Sequence, residues 1–81
     1  MVLKDTIDLM VSEDYKERFK AEYLQVKIRY DGLCNMIDKW VKNELTFTPT
    51  CPRSTYNLQL NAMEDYLTVL KERAVMEGIE L

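Results

Sequence analysis

Aromatic and basic side chains are concentrated around the segment that contains both prolines of the chain. Trp and Phe offer flat surfaces on which a base can stack, and Lys and Arg offer contacts to phosphate. This combination favours a small nucleotide-binding pocket at a turn, completed at a subunit boundary. It is equally typical of a packed hairpin tip, and Trp40 also lies on an apolar seam, which favours a role in the core. The candidate residues here are Lys39, Trp40, Lys42, Phe47, Arg53 and Tyr56.

The residue types that most catalytic sites require are missing or badly placed. The chain has no histidine, which excludes a Ser-His or Cys-His nucleophile. Neighbouring carboxylates at 13–14 and 64–65 fall on predicted solvated faces, so a general-acid pair is not favoured. Phosphate-binding glycine loops and dinucleotide motifs are absent. We therefore expect no enzyme activity and no cofactor, and two cysteines without histidine predict no zinc site.

Charge and hydropathy restrict the partners. The formal net charge is −3, from 14 acidic and 11 basic residues that are mixed along the chain. Without a basic block, binding to long nucleic acid is disfavoured, and no apolar run reaches the roughly 20 residues that span a bilayer. The first residues contain no secretory apolar region, so we expect a cytoplasmic protein whose Cys34 and Cys51 remain thiols and pack as small hydrophobes.

These side chains must be positioned by helices. The sequence predicts one all-α domain over residues 1–81: a short helix at 3–11, a long helix at 12–44, a linker at 45–54 and a second long helix at 55–77. Ser12 is the predicted cap of the first long helix, Ser54 or Thr55 that of the second, and Gly78 its end. Gly32 lies inside a predicted helix, where glycine is unfavourable. It indicates either a close contact with another part of the protein or only evolutionary drift at this position.

Both long helices carry apolar residues at alternating steps of four and three, which is a heptad seam. Two such seams joined by one linker predict an antiparallel helical hairpin. The first seam consists of Phe19, Tyr23, Val26, Tyr30, Leu33, Ile37 and Trp40, and the second of Tyr56, Leu60, Met63, Leu67, Leu70 and Ala74.

A hairpin does not cover all the apolar residues of these helices. Leu24 and Ile28 lie opposite the first seam, and the second helix has an apolar arc about twice as wide as a hairpin needs. The surplus predicts a homo-oligomer, although the N-terminal helix could cover part of it. The predicted interface residues are Leu24, Ile28, Leu58, Ala62, Val69 and Met76.

Arg73 lies within that wide apolar arc, two turns from Tyr66. One interpretation is an arginine whose stem lies on apolar surface while its head stays in water. The other is a guanidinium paired with Glu22 or Asp31 of another helix, or with a ligand phosphate. On the second interpretation, Tyr66 and Arg73 join the ligand-binding candidates.

Two stretches together resemble a family of very small phage proteins related to one from a crAss-like gut phage. The first follows Y-x2-R-x3-E-x3-(apolar)-x3-(apolar)-x2-L from Tyr15 to Leu33. The second is Leu-Gln-Leu-Asn-Ala-Met-Glu-Asp-Tyr at 58–66, continuing to Arg73. The resemblance covers about 12–75 and implies a phage origin and a helical hairpin. The linker with two prolines, and aromatic residues at 23 and 30, depart from the family pattern.

The functional hypothesis is a non-enzymatic phage accessory protein that counters host defence. It would bind and sequester a cyclic-nucleotide immune signal as a homo-oligomer. One alternative is a protein–protein inhibitor of a host defence or CRISPR effector, which would use its acidic surface. Another is a structural helical subunit without a small ligand.

Overall fold

A computed structural model describes all residues 1–81 and contains only helices. A 3₁₀ turn at Leu3–Thr6 continues directly as α1, Ile7–Met10. The two long helices are α2, Tyr15–Val41, and α3, Arg53–Glu77. The all-helical expectation, with a short N-terminal helix before two long ones, is confirmed.

The helix ends differ from the predicted ones because other residues supply the caps. Asp14, not Ser12, caps α2: its carboxylate accepts a 3.0 Å hydrogen bond from the backbone N–H of Lys16. The hydroxyl of Ser12 instead accepts from the N–H of Asp14, one step earlier. Helix α3 begins directly after Pro52, which has extended backbone, so Ser54 and Thr55 already lie inside the helix. Gly78 ends α3 with φ 68°, as its position predicted.

Helix α2 ends in a Schellman motif that the sequence prediction did not include. Asn43 adopts a left-handed backbone with φ 58°. The N–H of Glu44 then reaches back to the carbonyl of Lys39 at 2.8 Å, and the N–H of Asn43 to that of Trp40 at 3.1 Å. Asn is the residue that most often replaces Gly in this geometry. The motif stops the helix at Val41 and aims the chain into the turn that leads to α3.

The two long helices pack antiparallel. Tyr15, at the start of α2, bonds Glu77, at the end of α3, while Trp40 contacts Tyr56 at the turn. The buried cluster of the seam lies at the end far from the turn. We call this end the open end, because no loop joins the two long helices there. The cluster consists of Phe19, Leu70, Ala74 and Ile79. Towards the turn the seam residues are only half-buried. In all, seven of the 81 residues are buried, which is a very small core.

The N-terminal helix packs on the face of α2 opposite α3. Thr6 is completely buried there, and its hydroxyl oxygen accepts a 2.9 Å hydrogen bond from Nε2 of Gln25. Ala21 is buried on the same face. Leu24 and Ile28 lie on this face and are half-buried, so part of the face that was predicted to meet another subunit is covered within the chain.

The molecule is elongated, measuring 43 × 24 × 17 Å. Its radius of gyration is 15.0 Å, against about 12 Å for a compact chain of 81 residues. None of its helices has both the length and the apolar character required to cross a membrane. Gly32 faces open space, with no atom near the position of a Cβ, so no close contact explains this residue.

Candidate functional site

The structure divides the eight predicted ligand-binding residues between two places. Six of them surround the turn between α2 and α3. Tyr66 and Arg73 lie far along α3; Arg73 is 17 residues beyond Tyr56, or about 25 Å at the helical rise. The sequence alone could not show that the two groups lie apart, because the apolar seam of α3 passes through both places. We call the first group the turn cluster.

The turn cluster is built around Trp40. Its indole meets the Tyr56 ring edge-on, with centroids 6.0 Å apart, because the two residues are at corresponding heights on the antiparallel helices. The guanidinium of Arg53 lies 5.1 Å from the indole centroid, a cation–π contact. Trp40 is half-buried, so one part of the ring packs in the seam and another remains accessible. The core and ligand interpretations of Trp40 are therefore compatible.

A shallow groove of about 260 Å³ opens beside Trp40. Phe47 forms part of its aromatic wall, and 56% of this residue is exposed to solvent. The remaining lining residues are Asn43, Leu45, Thr48 and Pro49. Sequence reasoning missed these four, although Asn43 carried a recognisable signal as a helix-ending residue. Pockets for drug-sized ligands usually enclose about 300–1,000 Å³, so the groove on one chain is too small to enclose a whole dinucleotide.

The charges at the turn favour an anion. Arg53 forms no ion pair, and neither does Lys39, whereas Lys42 is paired with Asp38 at 3.0 Å. No side chain caps the start of α3. The N–H of Thr55 donates to the carbonyl of Pro52 at 3.0 Å, and the backbone N–H groups of Arg53 and Ser54 stay available. The helix dipole adds partial positive charge at the same end. Lys39 and Arg53 are therefore the free cations of the cluster, and Lys42 is not.

The open end contains a polar network. Arg73 donates from Nε to Glu77 at 3.1 Å and from Nη2 to the Tyr15 hydroxyl at 3.0 Å, while its guanidinium lies 4.9 Å from the Phe19 ring centroid. The Tyr66 hydroxyl donates to the carboxylate of Glu22. The partner of Arg73 within the chain is thus Glu77 of its own helix, not Glu22 or Asp31; Asp31 is paired with Lys27.

The carboxylates in this network shift the pKa values of their partners. Accepting a hydrogen bond from Tyr15 lowers the pKa of Glu77, and the nearby Arg73 lowers it further. The same bond raises the pKa of Tyr15, and the bond to Glu22 raises that of Tyr66. Sequence reasoning missed Tyr15 and Glu77, although the four-residue spacing of Arg73 and Glu77 is a known helical pairing. Because its carboxylates already accept hydrogen bonds within the chain, the open end suits a structural role better than anion binding. We call its network the polar strap; it consists of Tyr15, Glu22, Tyr66, Arg73 and Glu77.

Four of the predicted interface residues remain on the surface. Leu58 is 71% exposed, Val69 50% and Met76 76%, and Ala62 is exposed as well. The N-terminal helix also presents apolar side chains, among them Ile7, Met10 and Val11. No group of three or more His, Cys, Asp or Glu side chains is arranged to hold a metal ion.

A protein-family model described as Sequestin matches residues 13–76, which include α2, the turn and all of α3 except its last residue. Comparisons with curated proteins and with solved structures gave no match.

Proposed function

The chain belongs to the Sequestin family, and on that basis we propose that it is a non-enzymatic protein that binds and sequesters a small anionic ligand of the cyclic-nucleotide class. In this proposal the ligand is an immune signal of an infected bacterium and the chain is a phage product that removes it from solution. The protein acts in the cytoplasm as a homo-oligomer. The family's description supports sequestration; the ligand class rests on the turn cluster.

The contact that carries the ligand class is that of Arg53 with Trp40, 5.1 Å from guanidinium to ring centroid. Arg53 has no carboxylate partner, and the Trp40 ring beside it is only half-buried. Together the two side chains offer the two things that a nucleotide needs. The ring supplies a stacking surface for a base, worth about 1–3 kcal/mol. The guanidinium supplies a bidentate contact to phosphate. Lys39 and the free N–H groups at the start of α3 provide further positive potential.

The size of the groove explains why self-association belongs to the proposal. At about 260 Å³, it accommodates one base and leaves the rest of a cyclic dinucleotide or trinucleotide in solvent. Ligand pockets typically bury most of a ligand's surface. A second chain beside the turn would cover the exposed part. Phe47, exposed at the edge of the groove, is a suitable contact for either the ligand or that second chain.

A thermal-shift screen tests the proposal, using cyclic dinucleotides, cyclic trinucleotides and cyclic ADP-ribose variants. A ligand that binds only the native chain stabilises it by about 2.7 kcal/mol at one hundred times its Kd. Trp40 is the only tryptophan, so its fluorescence reports stacking directly. Arg53→Gln should abolish the shift, while Arg29→Gln, an exposed arginine on α2 that forms no ion pair, should retain it. If no nucleotide changes either signal, the ligand class is wrong.

A further inference from the structure

Four exposed apolar residues of α3 form a single line along the helix, which we call the α3 stripe: Leu58, Ala62, Val69 and Met76. At 100° per residue they lie within an arc about 40° wide. The stripe is adjacent to the seam but separate from it, because the seam residues Leu67, Leu70 and Ala74 are buried against α2 or the C-terminal tail. Val75 is 83% exposed but lies about 100–140° around the helix from the stripe residues, outside the stripe.

The surface area indicates a second copy of the chain as the occupant. A monomer of 9.6 kDa exposes about 5,100 Å² on average, whereas this chain exposes 5864 Å². The excess of roughly 800 Å² equals one partner's share of a standard protein interface. A second copy that covers the α3 stripe with an interface of standard size would remove a surplus of this magnitude.

The charges beside the stripe determine how two copies fit together. Asp65 and Glu72 follow one edge of the stripe, and Tyr66 and Arg73 follow the other. In an antiparallel symmetric pair of helices each edge meets its own copy, so four carboxylates would face one another. In a parallel pair each edge meets the opposite edge of the partner. Glu72 of each copy then lies at the same height as Arg73 of the other.

Arg73 can accept this additional partner. A guanidinium has five N–H groups, and within the chain Arg73 uses two of them, one towards Glu77 and one towards Tyr15. Its side chain is 42% exposed. Glu72 is exposed and forms no ion pair within its own chain. The two groups are therefore free to meet across an interface.

We propose that the α3 stripe is the interface of a parallel, two-fold symmetric dimer of this chain, in which Glu72 of one copy faces Arg73 of the other. Leu58, Val69 and Met76 each meet their own counterpart. Both turns then lie at the same end of the dimer, so the two turn clusters open side by side. The inference extends the self-association in the proposed function but does not depend on the ligand.

Sedimentation of the full chain tests the surface. The native protein should sediment as a dimer at micromolar concentration. Val69→Glu should raise the dimer Kd at least roughly tenfold, because a buried unpaired charge is costly. Val75→Glu is the matched control: the same replacement on the same helix, off the stripe, should leave Kd within about threefold. A monomeric native protein, or equal effects of the two variants, overturns the proposal.

Disulfide trapping tests the direction, in a Cys34→Ala, Cys51→Ser background that sediments like the native chain. In a parallel dimer Leu58→Cys alone, and Met76→Cys alone, should cross-link to themselves under mild oxidation. An antiparallel dimer would cross-link only a mixture of the two variants, and cross-linking by Val75→Cys alone would place the interface elsewhere. Either result overturns the proposal.

The Glu72→Arg variant should change the dimer Kd in opposite directions in the parallel and antiparallel arrangements. In the parallel dimer it places Arg against Arg73 and should raise Kd roughly three- to tenfold. In an antiparallel dimer it would oppose Asp65 and lower Kd, which contradicts the proposal. The outcome is separate from ligand binding: a parallel dimer that binds no nucleotide refutes the ligand class alone, and a monomer that binds one refutes only this dimer.

Discussion

The hydroxyl of Tyr15 donates a 2.6 Å hydrogen bond to the carboxylate of Glu77, which connects the first residue of α2 to the last residue of α3. Arg73 contacts both groups and lies over Phe19, so the polar strap is in contact with the buried cluster beneath it. The strap closes the hairpin at the end where no chain connection holds the helices together. Its ionisation should therefore affect stability at both extremes of pH.

On the acid side, Glu77 should contribute stability that depends on Tyr15. Since the folded chain lowers the pKa of Glu77, the contribution is complete above about pH 4.3, the ordinary value for Glu. It disappears as the pH falls through the lowered value. Tyr15→Phe should move the Glu77 pKa towards the ordinary value in an NMR titration. Tyr66→Phe does not remove a Glu77 contact and should leave that pKa unchanged; a shift in both variants would contradict the assignment.

On the alkaline side, Tyr66 should resist ionisation because its hydroxyl donates to Glu22. A raised pKa in the folded chain means that this contribution is complete below about pH 10 and is lost as the pH rises through the raised value. Glu22→Gln should lower the Tyr66 midpoint towards its ordinary value, as followed by the tyrosine ring signals in NMR spectra. Glu17→Gln, also exposed on α2, is the control and should not change it.

The two glycines should respond to alanine in opposite directions. Gly32 lies inside α2 with open space around it, so Gly32→Ala should stabilise the fold by about 0.5–1 kcal/mol. Gly78 has φ 68°, where a Cβ is strained, so Gly78→Ala should destabilise it by about 1 kcal/mol. Thermal unfolding should show the two variants several degrees above and below the native chain. Destabilisation by Gly32→Ala would reveal a contact that this structure lacks.

Removal of Gln25 should loosen the N-terminal helix without opening the hairpin. Its amide donates to the buried Thr6 hydroxyl at 2.9 Å and to the Met10 sulfur at 3.4 Å. Gln25→Ala should cost about 1 kcal/mol and make the segment before α2 more sensitive to protease. Gln59→Ala, on the exposed surface of α3, should have neither effect. Unchanged protease sensitivity in Gln25→Ala would show that apolar packing alone holds the segment.

Phe47→Ser should separate binding from folding at the turn. More than half of this side chain is exposed, so stability should change by less than about 0.5 kcal/mol. If Phe47 contacts the ligand, loss of a stacking surface should weaken nucleotide binding by roughly tenfold or more. Val41→Ser, likewise exposed near the turn, should bind normally. Equal binding by both variants would remove Phe47 from the site.

The hairpin could be predicted because the apolar residues that hold it together recur at a regular spacing along both helices. Two seams with the same alternation and a linker containing two prolines admit one simple packing, and Gly78 ends α3 where its conformational freedom predicts. The helix starts were wrong because capping depends on backbone conformation. Ser12 and Asp14 both have side chains that can cap a helix, and only the structure shows that Asp14 caps α2 and that α3 begins directly after Pro52, without a side-chain cap.

The site was predictable only in part, since most of the predicted ligand-binding residues are close in both sequence and space only at the turn. Trp40, Phe47, Arg53 and Tyr56 are near one another in the sequence and in the structure. Tyr66 and Arg73 were added through the helical wheel, which shows direction but not height along the hairpin. The wheel also placed Leu24 and Ile28 opposite the first seam, but it does not show how much of that face a short preceding helix covers.

The N-terminal helix contacts α2 but makes no substantial contact with α3. Its attachment is therefore a local equilibrium, independent of whether the hairpin itself stays closed. In hydrogen exchange the amides of Ile7–Met10 should exchange well before those around Leu70, as a separate unit of low stability. Each such opening exposes Ala21, Leu24 and Ile28 for a short time while the rest of the molecule remains folded. The apolar residues on this face of α2 should therefore become fully accessible only during the lifetime of the detached helix.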